Sequence, residues 1–165
     1  MNSTYPFIVF QVIGYKNSGK TTLVEKLVRE LTKEDLKVGT LKHHGHGGKP
    51  TLPAGTDSSR HRHAGAIISG VEGDGLFQLD MTGSWTLDQL LSFYEGMQIV
   101  IVEGFKEADF PKAVIYRNKE DESLLGSCTS VICRIHHEER NDFYLLTKDK
   151  EYISMIKKWI VRRIQ

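Results

Sequence analysis

The 165-residue sequence has only two cysteines and no excess of charge of one sign. Cys128 and Cys133 match neither a Cys-x-x-Cys redox pair nor a four-ligand zinc framework, so we predict a protein of the reducing cytoplasm. With 22 Lys plus Arg against 21 Asp plus Glu, the sequence argues against a nucleic-acid partner bound through a strongly cationic surface. The apolar run at 7–13 is too short to cross a bilayer, and we expect no membrane insertion.

Strand-like and helix-like segments alternate along the chain. Short β-branched runs at 7–13 and 99–102 are typical of strands that are covered on both faces. Apolar residues recur at helical spacing over 23–31 and 152–160. We therefore predict one domain over 1–165 with an α/β, P-loop NTPase-like three-layer fold, in which a mostly parallel central sheet carries some antiparallel strands.

The turn after the first predicted strand fits the Walker A pattern G-x-x-x-x-G-K-[ST]. Glycines in such a turn let the main-chain amides face phosphate oxygens, and the following helix N-terminus adds attraction for an anion. Lys20 would neutralise the outer phosphates and act as a catalytic residue, while the hydroxyl of Thr21 would ligate Mg²⁺. The predicted phosphate-binding residues are Gly14, Asn17, Ser18, Gly19, Lys20 and Thr21.

Two acidic residues are further candidates for the magnesium site. Glu103 directly follows the apolar run at 99–102, the position at which a carboxylate orients Mg²⁺ directly or through water in this class of site. Asp57 lies in a loop after the second predicted strand, where switch elements contact magnesium. As an alternative, Asp57 caps a short helix that ends near Ala64.

The segment 37–63 attracts anions locally. It contains five Lys or Arg against one acid, together with five of the seven histidines. Contacts to phosphates or to partner groups are the favoured interpretation, and a zinc or nickel site is the alternative because imidazole suits both metals. The histidines in question are His43, His44, His46, His61 and His63.

Asn118-Lys119-Glu120-Asp121 has the form of a guanine-reading N-x-x-D signature. Only ten residues, 103–112, separate the neighbouring predicted strands, and parallel pairing ordinarily needs a longer crossover. We therefore predict an antiparallel strand over 113–116, a surface loop over 118–126, and no contact between this segment and the phosphate site. The base would instead meet the loops after 131–133 or 143–146, the latter containing Thr147-Lys148-Asp149.

Four sequence blocks, 14–23, 42–46, 55–66 and 102–106, resemble the MobB family of molybdopterin-guanine dinucleotide biosynthesis adaptors. The resemblance implies a GTP-binding homodimer of weak GTPase activity. Such a protein would assist a MobA-like molybdopterin guanylyltransferase in attaching GMP to the molybdopterin cofactor. The resemblance adds Thr22 to the phosphate-binding residues and assigns magnesium to Asp57 and Glu103. It makes further residues candidates for the anionic pterin or the partner's nucleotide: Lys42, His44, Arg60 and Lys106.

Two other functions stay open from the residues. A small-molecule kinase would use Arg60 or Arg62 to stabilise the transferred phosphoryl group, and a nickel- or zinc-delivery GTPase would use the histidines. We expect hydrolysis to be slow at most, because the sequence shows no obvious water-positioning glutamine or arginine finger.

Overall fold

The computed structural model describes residues 5–45 and 55–164. Its strands are β1 (Ile8–Gly14), β2 (Val38–Lys42), β3 (Ile68–Gly73), β4 (Leu76–Met81), β5 (Ile99–Glu103), β6 (Lys112–Tyr116), β7 (Val131–His136) and β8 (Tyr144–Leu145). Its helices are α1 (Lys20–Thr32), α2 (Asp57–His63), α3 (Leu87–Leu91, continued by a 3₁₀ turn over Ser92–Tyr94), α4 (Lys119–Leu125) and α5 (Asp149–Ile164).

Six strands form one parallel sheet in the order β2-β5-β1-β6-β7-β8. One face of the sheet packs against α1 and α5 through fully buried residues such as Phe10, Leu27 and Ile156. The other face buries Val9 and Val100 against Leu91 of α3. The predicted three-layer α/β, P-loop NTPase-like fold is thereby confirmed, and the antiparallel pairing lies in the separate β3–β4 hairpin.

The predicted antiparallel strand over 113–116 is wrong. β6 pairs with β1 in parallel, with Gln11 opposite Lys112, whereas Glu103 at the end of β5 lies opposite Val12. Because β6 begins only one residue below the level at which β5 ends, the chain does not travel back along the full length of the sheet. The short loop 104–111 therefore suffices for a crossover that full-length strands could not make.

The predicted surface loop over 118–126 is also wrong, since most of it forms α4. The side chain of Asn118 accepts a hydrogen bond from the amide of Asp121, which caps the helix. Three acids in the first turn, Glu120, Asp121 and Glu122, favour the positive end of a helix. Both signals were present in the sequence.

Two caps shape the shorter helices. Thr86 and Gln89 form the predicted capping box at the start of α3. At α2 the cap is Thr56, whose hydroxyl accepts from the amide of Ser59, so the alternative reading of Asp57 as the cap is wrong by one residue. Within the described residues, no helix combines the length and apolar character that crossing a bilayer requires.

Candidate functional site

The turn between β1 and α1 has the backbone geometry expected of an anion-binding loop. Asn17 (φ 60°) and Gly19 (φ 101°) both adopt the left-handed conformation, and alternation of this kind turns successive N–H groups toward one point, as in anion-binding nests. Gly14 is needed for a different reason. A Cβ there would lie 2.5 Å from the Ser18 hydroxyl and 2.9 Å from the carbonyl oxygen of Ile115.

Two polar groups in this turn fit a phosphate ligand. The Ser18 hydroxyl is fully buried and has no hydrogen-bond partner among the described residues. Lys20 donates from Nζ to the carbonyl oxygen of Tyr15 at 2.7 Å, so its ammonium group lies against the turn. Burial lowers the pKa of Lys20, an effect opposed by Glu103 and reinforced by Lys42 and Arg117. A negatively charged ligand would relieve this accumulation of positive charge.

The predicted magnesium ligands of the P-loop and of β5 meet in the structure. Thr21 Oγ1 lies 3.2 Å and 3.1 Å from the two carboxylate oxygens of Glu103, whose side chain is 8% exposed. Lys42, the last residue of β2, places Nζ 3.1 Å from Glu103 Oε1 and 3.1 Å from Thr21 Oγ1. A hydroxyl beside a carboxylate is the oxygen donor set that Mg²⁺ prefers, so these residues fit the ion.

A cavity of about 910 Å³ opens from the P-loop toward β2 and the loop after β5. Its lining includes all the predicted phosphate-binding residues, Thr22 among them, together with Lys42, His44, Glu103 and Lys106. Parallel strands bring their carboxyl ends to one edge of the sheet, which is why residues so distant in sequence converge there. The structure thus unites most of the predicted site.

The loop 104–111 forms the cavity wall opposite the P-loop. The buried Gln11 side chain donates to the carbonyl oxygens of Gly104 and Phe105 and accepts from the amide of Phe110. Lys112, 1% exposed, donates to the carbonyl oxygen of Ala108 at 2.8 Å. Burial lowers the pKa of Lys112. Neither residue was among the predicted site residues, because nothing in the local sequence indicates their partners.

An aromatic contact joins this wall to β2. The rings of His43 and Phe105 lie 4.5 Å apart between centroids. A side chain at Gly104 (φ 95°) would be strained and crowded, since a Cβ would meet that of His43 at 3.1 Å. The contact holds the end of β2 and the loop 104–111 in one arrangement around the cavity.

Asp57 and Arg60 lie elsewhere. They form an exposed ion pair of 3.3 Å on α2, which packs against β3, and among the described residues neither lines the cavity. Their predicted roles in magnesium binding and catalysis therefore have no geometric support here. Of the histidines proposed for a metal, His46 lies outside the described residues. Across residues 5–45 and 55–164, no group of three His, Cys, Asp or Glu side chains is arranged to hold a metal ion.

The N-x-x-D segment lies beside the phosphate site, contrary to the prediction. Arg117 donates to the carbonyl oxygen of Lys16 at 3.1 Å, and its guanidinium carbon lies 5.5 Å from the ring centroid of Tyr15. The carboxylate of Asp121, 2% exposed, accepts from Arg117 at both oxygens, and these hydrogen bonds lower its pKa. Asp121 therefore positions Arg117 against the P-loop and is not available for a base in this arrangement.

The loops after β7 and β8, at which the base is predicted to bind, contact the P-loop and α1. His137 Nε2 lies 3.0 Å from the carbonyl oxygen of Ser18. Asp149 pairs with Lys26 of α1 at 2.5 Å, and the hydrogen bond from that lysine lowers the pKa of Asp149. Thr147-Lys148-Asp149 thus connects to α1 through its acid, and which loop meets the base stays a prediction.

Comparison with known proteins gives consistent matches. The family described as Molybdopterin guanine dinucleotide synthesis protein B (MobB) matches residues 9–137. A probable molybdopterin-guanine dinucleotide biosynthesis adapter protein of Bacillus subtilis is 40% identical over 139 residues, which are 82% of this chain and 80% of that protein. The crystal structure of Bacillus subtilis MobB superposes with a TM-score of 0.81 at 35% identity and covers 92% of this chain and 97% of its own. The crystal structure of a MobB homolog from Bacillus stearothermophilus superposes with a TM-score of 0.77 at 34% identity. It covers 93% of this chain and 98% of its own.

Proposed function

This chain belongs to the MobB family of molybdopterin-guanine dinucleotide synthesis proteins, and from that premise we propose that it binds GTP with Mg²⁺ for a partner enzyme. The partner is a MobA-like guanylyltransferase, which converts the molybdopterin cofactor to its guanine dinucleotide. The chain acts as an adapter that holds the nucleotide. Cys128 and Cys133 are free thiols, which supports a place in the reducing cytoplasm.

One observation carries the nucleotide proposal: Thr21 and Glu103 touch at the mouth of an amide nest that already holds Lys20. The nest amides and Lys20 would bind the phosphate oxygens. Thr21 and Glu103 would hold Mg²⁺, which supplies positive charge to the phosphates when bound. A glycine-rich turn with only a structural role would have no need of a buried carboxylate beside its threonine.

Slow hydrolysis follows from the residues around the cavity. Among its described lining residues there is neither a glutamine to orient a water molecule nor an arginine to stabilise charge in the transition state. An arginine supplied in trans accelerates such reactions by about 10³ to 10⁵. We therefore propose that the chain alone is a holding module, with turnover low until a partner docks.

The wall opposite the P-loop suits a second anionic group. Lys106 of that wall lines the cavity together with Lys42 and His44 at the end of β2, and the Lys106 side chain is 60% exposed. Positive charge beyond the triphosphate site would attract the phosphate of the pterin or the partner's nucleotide. This wall is therefore the part of the proposal that concerns the molybdopterin cofactor.

Calorimetric titration tests the proposal. GTP and ATP are each titrated into the chain in the presence of Mg²⁺, and zinc is titrated separately without nucleotide. We expect GTP to bind with Mg²⁺ more tightly than ATP, and zinc to bind weakly. Addition of the chain to a guanylyltransferase assay should raise the yield of guanine dinucleotide, whereas hydrolysis by the chain alone should stay slow. Rapid ATP-dependent phosphorylation of a small molecule, or stoichiometric zinc binding with no GTP binding, would contradict the proposal.

We also propose that the chain forms a homodimer through the β3–β4 hairpin. Residues opposite one another in this hairpin share a face, and the face carrying Ile68, Leu79 and Phe77 is mostly apolar, with Glu72 opposite Phe77. The three apolar side chains are 55%, 40% and 61% exposed. The other face packs against α2 at one end, where the Ser69 hydroxyl donates to the carbonyl oxygen of Ser58 and Arg62 pairs with Asp80, while Val71 and Leu76 on that face are exposed. A second copy would cover the apolar face by self-complementary contact.

Sedimentation equilibrium tests the dimer. Phe77→Glu places a charge on the apolar face and should shift the protein toward the monomer by at least about tenfold in dissociation constant. Gln78→Glu adds the same charge on the opposite face of the same strand and serves as the control. Equal dimerisation of both variants and of the unmodified chain would rule this face out.

A further inference from the structure

The ammonium group of Lys42 contacts both side chains that form the proposed magnesium site. Its Nζ is 3.1 Å from Thr21 Oγ1 and 3.1 Å from Glu103 Oε1. Lys42 ends β2 and Glu103 ends β5, and the two residues are register partners in the parallel sheet. The pairing of β2 with β5 therefore places these two side chains next to each other.

Glu103 needs a positive partner because its side chain is only 8% exposed. Lys20 lies close enough to influence it electrostatically, but the hydrogen bond of its ammonium goes to the carbonyl oxygen of Tyr15. Among the residues that the structure describes, Lys42 is the lysine in direct contact with the carboxylate. The positive charge of Lys42 thus neutralises the buried carboxylate of Glu103, as a bound metal ion would.

A divalent cation and this ammonium cannot use the same oxygens together. Magnesium sits about 2.0 to 2.1 Å from its oxygen ligands, so an ion on Thr21 and Glu103 would come within a few ångströms of Lys42 Nζ. Two positive charges at that separation repel strongly. An ion bound directly to these oxygens would therefore displace the ammonium group.

The Lys42 side chain is free enough to move its ammonium group into the cavity. The Lys42 side chain is 56% exposed and lines the cavity, and a lysine carries its charge on a flexible four-carbon stem. An anionic ligand in the cavity offers it a new partner. We propose that Lys42 is an internal counter-ion of Glu103 that a divalent cation displaces, so that metal binding transfers the ammonium to the anionic ligand. The transfer to a phosphate rests on the proposed function.

The first test needs no nucleotide. Free Mn²⁺ is followed by electron paramagnetic resonance as it is titrated into the unmodified chain, Lys42→Met and Lys106→Met. Loss of the competing ammonium should tighten Mn²⁺ binding by about tenfold in Lys42→Met, equivalent to about 1.4 kcal/mol. Lys106→Met removes the same charge from the same cavity and should change the affinity by less than about twofold, the effect of the long-range field alone.

Two further variants make this titration decisive. Glu103→Gln should abolish the Mn²⁺ site that tightens, which identifies it as the Thr21–Glu103 site. Lys42→Gln is a second neutral variant should the methionine variant fold poorly by circular dichroism. Mn²⁺ affinity that is unchanged or weaker without the Lys42 charge, or that rises equally in Lys106→Met, would overturn the proposal.

The second test measures the transfer. Affinity for a fluorescent GTP analogue is determined with Mg²⁺ and with EDTA. Lys42→Met should bind about fivefold more weakly than the unmodified chain with Mg²⁺, and within about twofold of it with EDTA. Equal loss in both conditions would mean that Lys42 contacts phosphate whether or not metal is present, and no loss in either would mean a purely structural lysine. Both outcomes contradict the transfer. Failure of the unmodified chain to bind GTP would refute the proposed function instead, while the Mn²⁺ titration would still decide the displacement.

Discussion

The two walls of the cavity are held in different ways. The P-loop wall is a main-chain structure, shaped by Gly14 and by the left-handed residues Asn17 and Gly19. The wall formed by 104–111 is held by side chains from neighbouring strands, through Gln11 on β1 and Lys112 on β6. In the proposed function the first wall would bind phosphate through its main-chain amides, whereas the position of the second wall depends on two anchoring side chains.

The largest effect is expected for Gly14→Ala. A methyl group there would lie 2.9 Å from the carbonyl oxygen of Ile115, which belongs to the rigid sheet. The turn must move and the amides lose their common direction, so we expect GTP affinity to fall by about a hundredfold, or about 2.7 kcal/mol. Calorimetric titration measures it. Gly73→Ala is the control, because a Cβ at Gly73 has no described atom within 4 Å.

Gln11→Leu separates the second wall from the first. Three main-chain groups of the loop lose their side-chain partner, and we expect the free energy of unfolding to fall by about 2 to 3 kcal/mol in urea denaturation. GTP affinity should change by less than about threefold. Gln98→Leu removes a single hydrogen bond from the amide of Lys37 and should cost less. A collapse of GTP affinity in Gln11→Leu, with the fold intact, would mean that the walls are not independent.

This difference between the walls also explains what the sequence predicted. A phosphate-binding turn is a contiguous pattern, so Gly14 to Thr21 could be recognised, and Glu103 followed from the apolar strand before it. The anchoring roles of Gln11 and Lys112 depend on which strands are neighbours and at what register. Register also explains why the direction of β6 was predicted wrongly. The end of β5 lies opposite Val12 and the start of β6 lies opposite Gln11, and the length of the connecting loop does not reveal this arrangement.

Arg117 and Asp121 were missed for the same reason. With β6 assigned as antiparallel, the segment after it was expected to point away from the P-loop. In the parallel arrangement Gly14 lies opposite Ile115, and Arg117 follows directly beside the turn. The helix cap at Asn118 was a local signal and could have been recognised, whereas the contact between Arg117 and Tyr15 could not.

Asp121→Asn is expected to have the smallest effect of the three. The variant weakens the pair with Arg117, and because that arginine is 36% exposed we expect a loss of about 1 to 2 kcal/mol in unfolding free energy at neutral pH. Asp57→Asn breaks an exposed pair and should stay within about 0.5 kcal/mol.

The pH dependence of this variant gives a second readout. Hydrogen bonds from Arg117 lower the pKa of Asp121 in the folded protein, so the pair contributes stability above the ordinary carboxyl pKa and loses it as the pH falls through the lowered value. The difference between the unmodified chain and Asp121→Asn should therefore shrink on acidification from about pH 7 to about pH 3. A difference that is constant over this range would show that the carboxylate charge is not what stabilises the flank of the P-loop.

The account depends most directly on capture of a triphosphate by the amide nest and Lys20. The decisive measurement is calorimetric titration of GTP with Mg²⁺ into the unmodified chain, Lys20→Ala and Lys16→Ala. Lys16 is an exposed lysine of the same turn, so its variant controls for the loss of one charge. We predict that Lys20→Ala weakens binding by about a hundredfold and Lys16→Ala by less than about threefold. Undiminished GTP affinity in Lys20→Ala would contradict the account.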